Sequence, residues 1–189
     1  MANAIMTRYE LYRDAGEIPY GEWREEGIRI PIFDKSGTLS NANSMDCVES
    51  VIAGLKAQQL PDIYRNIALV SNDYDTKQVA AFGSILRQKL GVHVFTVSRE
   101  DGPGTGYRRK PYADMGFAVA REFGFKTSQL GVIGDRWATD VLFGRNLRAG
   151  AVALCDKAGT GDARFVPGMR VLEAGIVGVA CYLGFATRH

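Results

Sequence analysis

A chain of 189 residues suits one compact domain, and its 46% hydrophobic and 23% charged content excludes disorder while supplying enough apolar side chain for a sizeable core. A net charge of +2 gives no global basic bias, so no nucleic-acid partner is expected. Three cysteines, Cys47, Cys155 and Cys181, are odd in number and lack a CxxC pair, which argues against a disulfide framework or zinc knuckle and makes the reducing cytoplasm the expected location.

Residues 1–27 read as an N-terminal extension. No secretory leader is expected there, because the apolar stretch 4–6 is short and Arg8, Glu10, Arg13 and Asp14 soon interrupt it. Residues 28–33 (IRIPIF) form an apolar run ending at Asp34 and read as a buried strand, in which Pro31 favours an edge because it cannot donate to a ladder. A helix follows over 45–58, with Val48, Val51, Ile52 and Leu55 at helical spacing and Asn43 or Ser44 as its N-cap. Residues 66–70 (NIALV) are a second strand that stops at Ser71-Asn72. Asp75 with Gln78 three residues later resembles a capping box, opening a helix to Leu90 that Gly91 closes in the left-handed region.

Residues 92–97 (VHVFTV) make a third strand, and Pro111 suits the first turn of a helix through Phe123, closed by Gly124. Residues 130–133 (LGVI) form a fourth strand ending at Gly134-Asp135. A short helix over 139–147 and a fifth strand over 151–154, ending at Cys155-Asp156, complete a domain spanning 28–157. Residues 158–189 are a C-terminal segment whose uncharged run 174–186 is shorter than the roughly 20 residues that span a bilayer. Packing on the domain, a homo-oligomer contact and a membrane-surface contact remain open for it.

Strands alternating with helices predict a parallel sheet covered on both faces, a three-layer α/β/α Rossmann-like fold. Ligands of such folds sit at the carboxyl ends of the strands, and four polar groups converge there: Asp34, Ser71-Asn72, Lys110 and Asp135. An aspartate fixed by a strand end and followed by Gly37-Thr38 can attack phosphorus, with the glycine freeing backbone N–H groups to face a phosphate. Ser71 and Asn72 would donate to phosphoryl oxygens, and Lys110 would neutralise charge developing there. Asp34 and Asp135 supply hard oxygen ligands suited to Mg²⁺, and Asp140 would orient Lys110 or complete the metal's outer shell. Singly, each group has an ordinary reading as a turn cap or a solvated helix start. Their order is what persuades: DKSGT at 34–38, SN at 71–72, KP at 110–111 and GDRWATD at 134–140.

These motifs resemble those of the haloacid-dehalogenase (HAD) superfamily of aspartyl-phosphate phosphohydrolases, over about residues 28–156. The GDRWATDV stretch, the KP dipeptide and the chain's compactness look most like the capless subclass IIIA, including YqeG-type phosphatases and phosphatidylglycerophosphate phosphatases. The resemblance implies a HAD-like fold without a cap domain and a Mg²⁺-dependent, two-step phosphomonoester hydrolysis. Asp34 is then the nucleophile and metal ligand; Lys35, Gly37, Thr38, Ser71, Asn72 and Lys110 hold the phosphate; Asp135 binds the metal with Asp140 in support. A phosphorylated lipid head group is the implied substrate, handled by a cytoplasmic protein with peripheral membrane contact. The loop 100–106 with Tyr107, Arg108, Arg109 and Lys110 reads first as a solvated loop, and alternatively as a positively charged rim that an anionic lipid surface would attract.

The superfamily's usual first motif is DxDxT, whose second aspartate acts as general acid and base while its carbonyl binds the metal. Here Ser36 stands at that position. Its carbonyl can still serve the metal, but its side chain does not titrate near neutrality, and general acid–base help is typically worth about 10²- to 10⁴-fold. DKSGTLS looks like the DKTGTLT of P-type ATPases, where a hydroxyl residue accompanies a longer-lived phospho-aspartate. A slow or specialised phosphatase is the leading expectation. A soluble sugar or nucleotide phosphate as substrate, and a non-catalytic phosphate-binding relative, stay open. His93 reads as packed or edge-exposed, and Cys155 and Trp137 as packed, rather than catalytic.

Overall fold

The computed structural model describes residues 7–41, 44–73, 75–99 and 106–155, with the backbone of 187–188. Asn43, residues 100–105, Asp156, Cys181, the apolar run 174–186 and His189 lie outside the described residues.

Among the described residues, seven parallel strands form one sheet in the order β4–β3–β2–β5–β6–β1–β7. They are β1 (Arg8–Tyr12), β2 (Ile30–Phe33), β3 (Asn66–Ser71), β4 (His93–Ser98), β5 (Leu130–Gly134), β6 (Ala151–Cys155) and β7 (Thr187–Arg188). The helices are α1 (Tyr20–Glu25), α2 (Glu49–Ala57), α3 (Leu60–Ile63), α4 (Thr76–Leu90), α5 (Asp114–Phe123) and α6 (Leu142–Leu147).

Side chains of a strand alternate between faces, and here both faces are covered, so the central strands are apolar throughout. Ile30 and Ile32 of β2 join Ala68, Val70, Val132 and Val152 in one core, while Phe33 joins Ile67, Leu69 and Ile133 in the other. Pro31 lies in this central strand rather than at a sheet edge. The position is tolerated because pairing with β3 begins only at Ile32, so on that side no ladder bond is asked of the proline.

Within residues 1–27 the chain contributes β1 and α1 to the sheet and core. The alternation Arg8–Glu10–Tyr12 conceals this strand, because its central side chain is a buried carboxylate. Glu10 is satisfied there by the Trp23 indole N–H at 3.0 Å and the Arg8 guanidinium at 3.1 Å. Asp75 caps α4 through the N–H groups of Lys77 and Gln78, both at 3.0 Å, and Gly91 ends it at φ 71°. Helix α2 starts later than its apolar spacing suggests, with Val48 at its N-cap, and Ser44 instead accepts from the nearby Asp46 N–H. Pro111 likewise precedes α5, which begins at Asp114. A π-helical turn over 137–141 leads into α6. Among the described residues, no second domain is inserted over the strand ends.

Candidate active site

The sheet delivers three groups directly. Asp34 follows β2, Ser71 is the last residue of β3, and Asp135 follows β5. Strands β2 and β5 are paired up to Phe33 and Ile133, and the Asp34 N–H donates to the Ile133 carbonyl at 2.8 Å, which keeps the two aspartates at one level. The π-helical turn then brings Asp140 back over the end of β5. One carboxylate oxygen from each of Asp34, Asp135 and Asp140 lies within 4.8 Å of the others.

Lys110 enters from the segment between β4 and α5. Its Nζ stands 2.5 Å from Asp34 Oδ1 and 2.5 Å from Asp140 Oδ1. Burial works against its charge, but the attraction of Asp140 and Asp34 outweighs that and holds its pKa above the ordinary lysine value. Burial pushes the Asp34 carboxyl up to about 6 even though Lys110 pulls it down, with the Asp140 charge adding to the rise. Asp140 is further fixed by the Arg136 N–H at 3.2 Å and the Thr139 hydroxyl at 3.3 Å.

The 35–40 turn wraps beside Asp34. The Lys35 carbonyl accepts from the N–H groups of Leu39 and Ser40, both at 3.0 Å, and Gly37, at φ 87°, donates its N–H to the Ser40 carbonyl at 2.7 Å. That positive φ favours glycine at position 37. Ser36 is half-buried in the same turn, and Thr38 is buried with no hydrogen-bond partner for Oγ1 among the described residues. A buried hydroxyl without a described partner, in the turn that follows Asp34, is the feature expected of a group that meets a ligand.

Three residues expected to hold phosphate have protein partners at the same rim. The Lys35 ammonium is buried against Asp73 Oδ2 at 3.1 Å, and lies 5.7 Å from the centre of the Phe82 ring. Ser71 Oγ accepts from the Asp73 N–H at 3.2 Å. Both polar atoms of the Asn72 side chain engage the main chain of Lys110. Cys155 is buried at the end of β6, where burial pushes its thiol well above the usual range and leaves it unsuited to nucleophilic work. His93 stacks edge-on against Phe123 at 6.2 Å, on the β4 side of the sheet, and Trp137 packs at the margin of one core.

Two contributors play parts that no sequence motif explains. Asn146 of α6 donates to the Pro111 carbonyl at 2.9 Å, a tie between distant segments that nothing in local spacing signals. At Gly134 an added Cβ would fall 2.3 Å from Asp140 Cγ, so the absence of a side chain there makes room for the aspartate. The GD dipeptide is visible in the sequence, but this reason for the glycine is not.

A parallel α/β sheet that brings a strand-end aspartate, a buried lysine and two further aspartates to one rim defines a phosphatase of the HAD type. Residues 12–159 match the profile of the family described as Mitochondrial PGP phosphatase, and the chain belongs to that family. Among solved structures, it is similar to an uncharacterized protein from Listeria monocytogenes serotype 4b, at 16% identity and a TM-score of 0.52, covering 72% of this chain and 84% of that one. This likeness concerns the fold. A p-nitrophenyl phosphatase from Archaeoglobus fulgidus aligns at 12% identity with a TM-score of 0.27, over 82% of this chain and 66% of that one. No curated protein matches the chain by sequence.

Proposed function

We propose that this phosphatase hydrolyses a phosphomonoester through an aspartyl-phosphate on Asp34, with Mg²⁺ as cofactor and a lipid-borne phosphate, phosphatidylglycerophosphate, as substrate. The observation that carries the reading is the Asp34 carboxylate at the end of β2, 2.5 Å from the Lys110 ammonium and within 4.8 Å of carboxylate oxygens of Asp135 and Asp140. The donor set suits Mg²⁺. The Lys110 ammonium contacts two of the three carboxylates, hard oxygens dominate, and one or two carboxylates with phosphate and water are what this ion prefers. Asp34, Asp135 and the Ser36 carbonyl would hold it, with Asp140 in support, and it would offset negative charge on the transferring phosphoryl group.

In the first step an Asp34 carboxylate oxygen forms a bond to phosphorus as the bond from phosphorus to the substrate alcohol breaks. Lys110 holds the phosphoryl charge, and Thr38 Oγ1, without a partner among the described residues, donates to a phosphoryl oxygen. The departing alkoxide takes its proton from solvent, because the Ser36 hydroxyl is too weak an acid to give one up near neutrality. Water then attacks the same phosphorus, releasing inorganic phosphate and restoring the carboxylate. Slow turnover follows from Ser36.

Two observations support a lipid surface as the place of work. No domain covers the strand ends among the described residues, so the bulk of a substrate can remain outside. Tyr112 and Phe117, 49% and 52% exposed, stand within seven residues of Lys110 in sequence, with Arg108 lying 4.3 Å over the Tyr112 ring and Arg109 exposed beside it. Exposed aromatic and basic side chains suit the anionic interface of a bilayer. No helix among the described residues is long and apolar enough to cross a membrane.

The deciding experiment measures phosphate release, with and without Mg²⁺, from phosphatidylglycerophosphate vesicles and from a soluble aryl phosphate, with Asp34→Asn as the blank. Mg²⁺-dependent release absent from the variant is expected, fastest on the vesicles. Equal rates in the two proteins overturn the mechanism. Preference for the soluble ester, together with no co-flotation with anionic vesicles, overturns the lipid assignment.

A further inference from the structure

The cation of the site is carried by the least regular part of it. Residues 106–113 belong to neither helix nor strand, yet the Lys110 ammonium must stay buried between two carboxylates, each 2.5 Å away. A side chain with four rotatable bonds on an unanchored backbone would not hold that position against its own entropy. Something must fix the main chain.

That something is Asn72. Its Oδ1 accepts the Lys110 N–H at 2.7 Å, and its Nδ2 donates to the Lys110 carbonyl at 3.3 Å. The carboxamide thus grips both polar groups of one residue's backbone, as a neighbouring strand would. Asn72 itself is anchored, because it follows Ser71, which is paired with Ser98 in the β3–β4 ladder. From the opposite side Asn146 of α6 holds the Pro111 carbonyl at 2.9 Å, and Arg108 is tied to Asp114 at the start of α5 through its N–H and both ends of its guanidinium. We propose that Asn72 is a positioning residue: it transmits the rigidity of the sheet to Lys110 and acts on phosphate only through that ammonium. The proposal rests on the phosphatase reading for its kinetic consequences, but its geometric content stands apart from it.

The donor and acceptor pattern restricts what can replace Asn72. An aspartate would keep the acceptor for the Lys110 N–H but set a second carboxylate oxygen against the Lys110 carbonyl. An alanine would lose both contacts.

Two measurements test the proposal. The first is a double-mutant cycle on phosphate release from a soluble aryl phosphate with Mg²⁺. Asn72→Ala is expected to lower kcat about 10- to 100-fold with KM changed less than about twofold, since a misplacement of about 1 Å at a catalytic group can cost 10²-fold. In a Lys110→Met background the same change is expected to cost less than about twofold, because the group it positions is gone. Equal losses in both backgrounds, or a raised KM with kcat intact, would mean that Asn72 meets the phosphate itself and would overturn the proposal.

The second measurement is amide hydrogen exchange of the metal-free protein, which reads the clamp without activity and without the Lys110 variant. The Lys110 amide is expected to exchange at least about tenfold faster in Asn72→Ala, while amides of Ile67 to Val70 in β3 keep their protection. Unchanged exchange at Lys110, or loss of protection throughout β3, overturns it. Should wild-type protein prove no faster than Asp34→Asn, the phosphatase reading fails while exchange still decides the clamp.

Discussion

Lys110 Nζ lies 2.5 Å from Asp140 Oδ1, with both side chains almost wholly withdrawn from solvent, 3% and 2% exposed. Asp34 completes the contact on the other side at the same distance. One ammonium therefore stabilises two carboxylates that burial alone would disfavour, and removing it strands both. Breaking a buried ion pair by deleting one partner typically costs about 3–5 kcal/mol. Lys110→Met is expected to lower unfolding free energy by about that much at pH 7, read by urea denaturation in the absence of divalent ions. A loss under about 1 kcal/mol would show that the carboxylates find compensation elsewhere.

The pH dependence of stability follows from Asp34. Burial raises its carboxyl to about 6, against the pull of Lys110 and with the repulsion of Asp140, while the unfolded chain titrates near 3.8. Between those values the native state binds more protons than the unfolded state, so stability falls as pH rises from about 4 to 6 and levels off above. Asp34→Asn removes this titration. In metal-free protein, the stability of the variant relative to wild type is expected to grow by on the order of 2 to 3 kcal/mol between pH 4 and 7. A difference that stays flat across this range would show that Asp34 titrates normally in the folded state.

Three carboxylates within 4.8 Å of one another lower their mutual repulsion when a divalent cation binds. Mg²⁺ at about 100 times its Kd adds about 2.7 kcal/mol to stability, and each kcal/mol is worth roughly 2–4 °C for a domain of this size. Thermal unfolding is expected to shift upward by about 5 °C or more with saturating Mg²⁺, and by less than half as much in Asp135→Asn. Equal shifts in the two proteins would place the ion elsewhere.

Much of this arrangement is legible in the sequence because it is local. Asp34, Ser71 and Asp135 each terminate an apolar run, and a run long enough to be a buried strand fixes where its end lies. The capping of α4 by Asp75 and its closure at Gly91 are equally local. What the chain order does not reveal is which polar atoms face each other across segments far apart in sequence. Ser71 and Asn72 read as phosphate donors from their types alone, yet the Asn72 amide is engaged 38 residues away at Lys110. Strand β1 was hidden for a different reason: its central Glu10 is buried, and only the fold brings the Trp23 indole within 3.0 Å to satisfy it.

Ser36 is where this sequence departs from the DxDxT pattern of the superfamily that its motifs resemble. The half-buried serine sits in the turn beside Asp34, two residues from the buried Thr38, so a carboxylate at position 36 would stand close to the leaving group. Ser36→Asp is expected to raise kcat on a soluble phosphomonoester by about tenfold or more, part of the about 10²- to 10⁴-fold that general acid–base catalysis supplies. Steady-state phosphate release with Asp34→Asn as blank reads the change. An unchanged kcat would mean that another group, such as Asp73 beside Lys35, already transfers the proton.

Gly134 offers a test of how closely the site is packed. It is the last residue of β5, directly before Asp135, and a Cβ built there would approach Asp140 Cγ to 2.3 Å, Cβ to 2.4 Å and Oδ2 to 2.5 Å. Contacts this short require movement, and Asp140 is not free to move. It is held at Oδ1 by Lys110 and at Oδ2 by the Arg136 N–H. Gly134→Ala therefore either displaces Asp140 from Lys110 or bends the end of β5, and with it Asp135. Overpacking of this kind typically costs about 1–3 kcal/mol, and displacing Asp140 would loosen the Lys110 position on which the proposed mechanism relies. The variant is expected to unfold at lower urea concentration and to lose at least about tenfold in kcat, with Mg²⁺-induced thermal stabilisation weakened in parallel. A variant with wild-type turnover would show that Asp140 can leave its place without consequence, and that Lys110 takes its orientation from Asp34 and Asn72 alone.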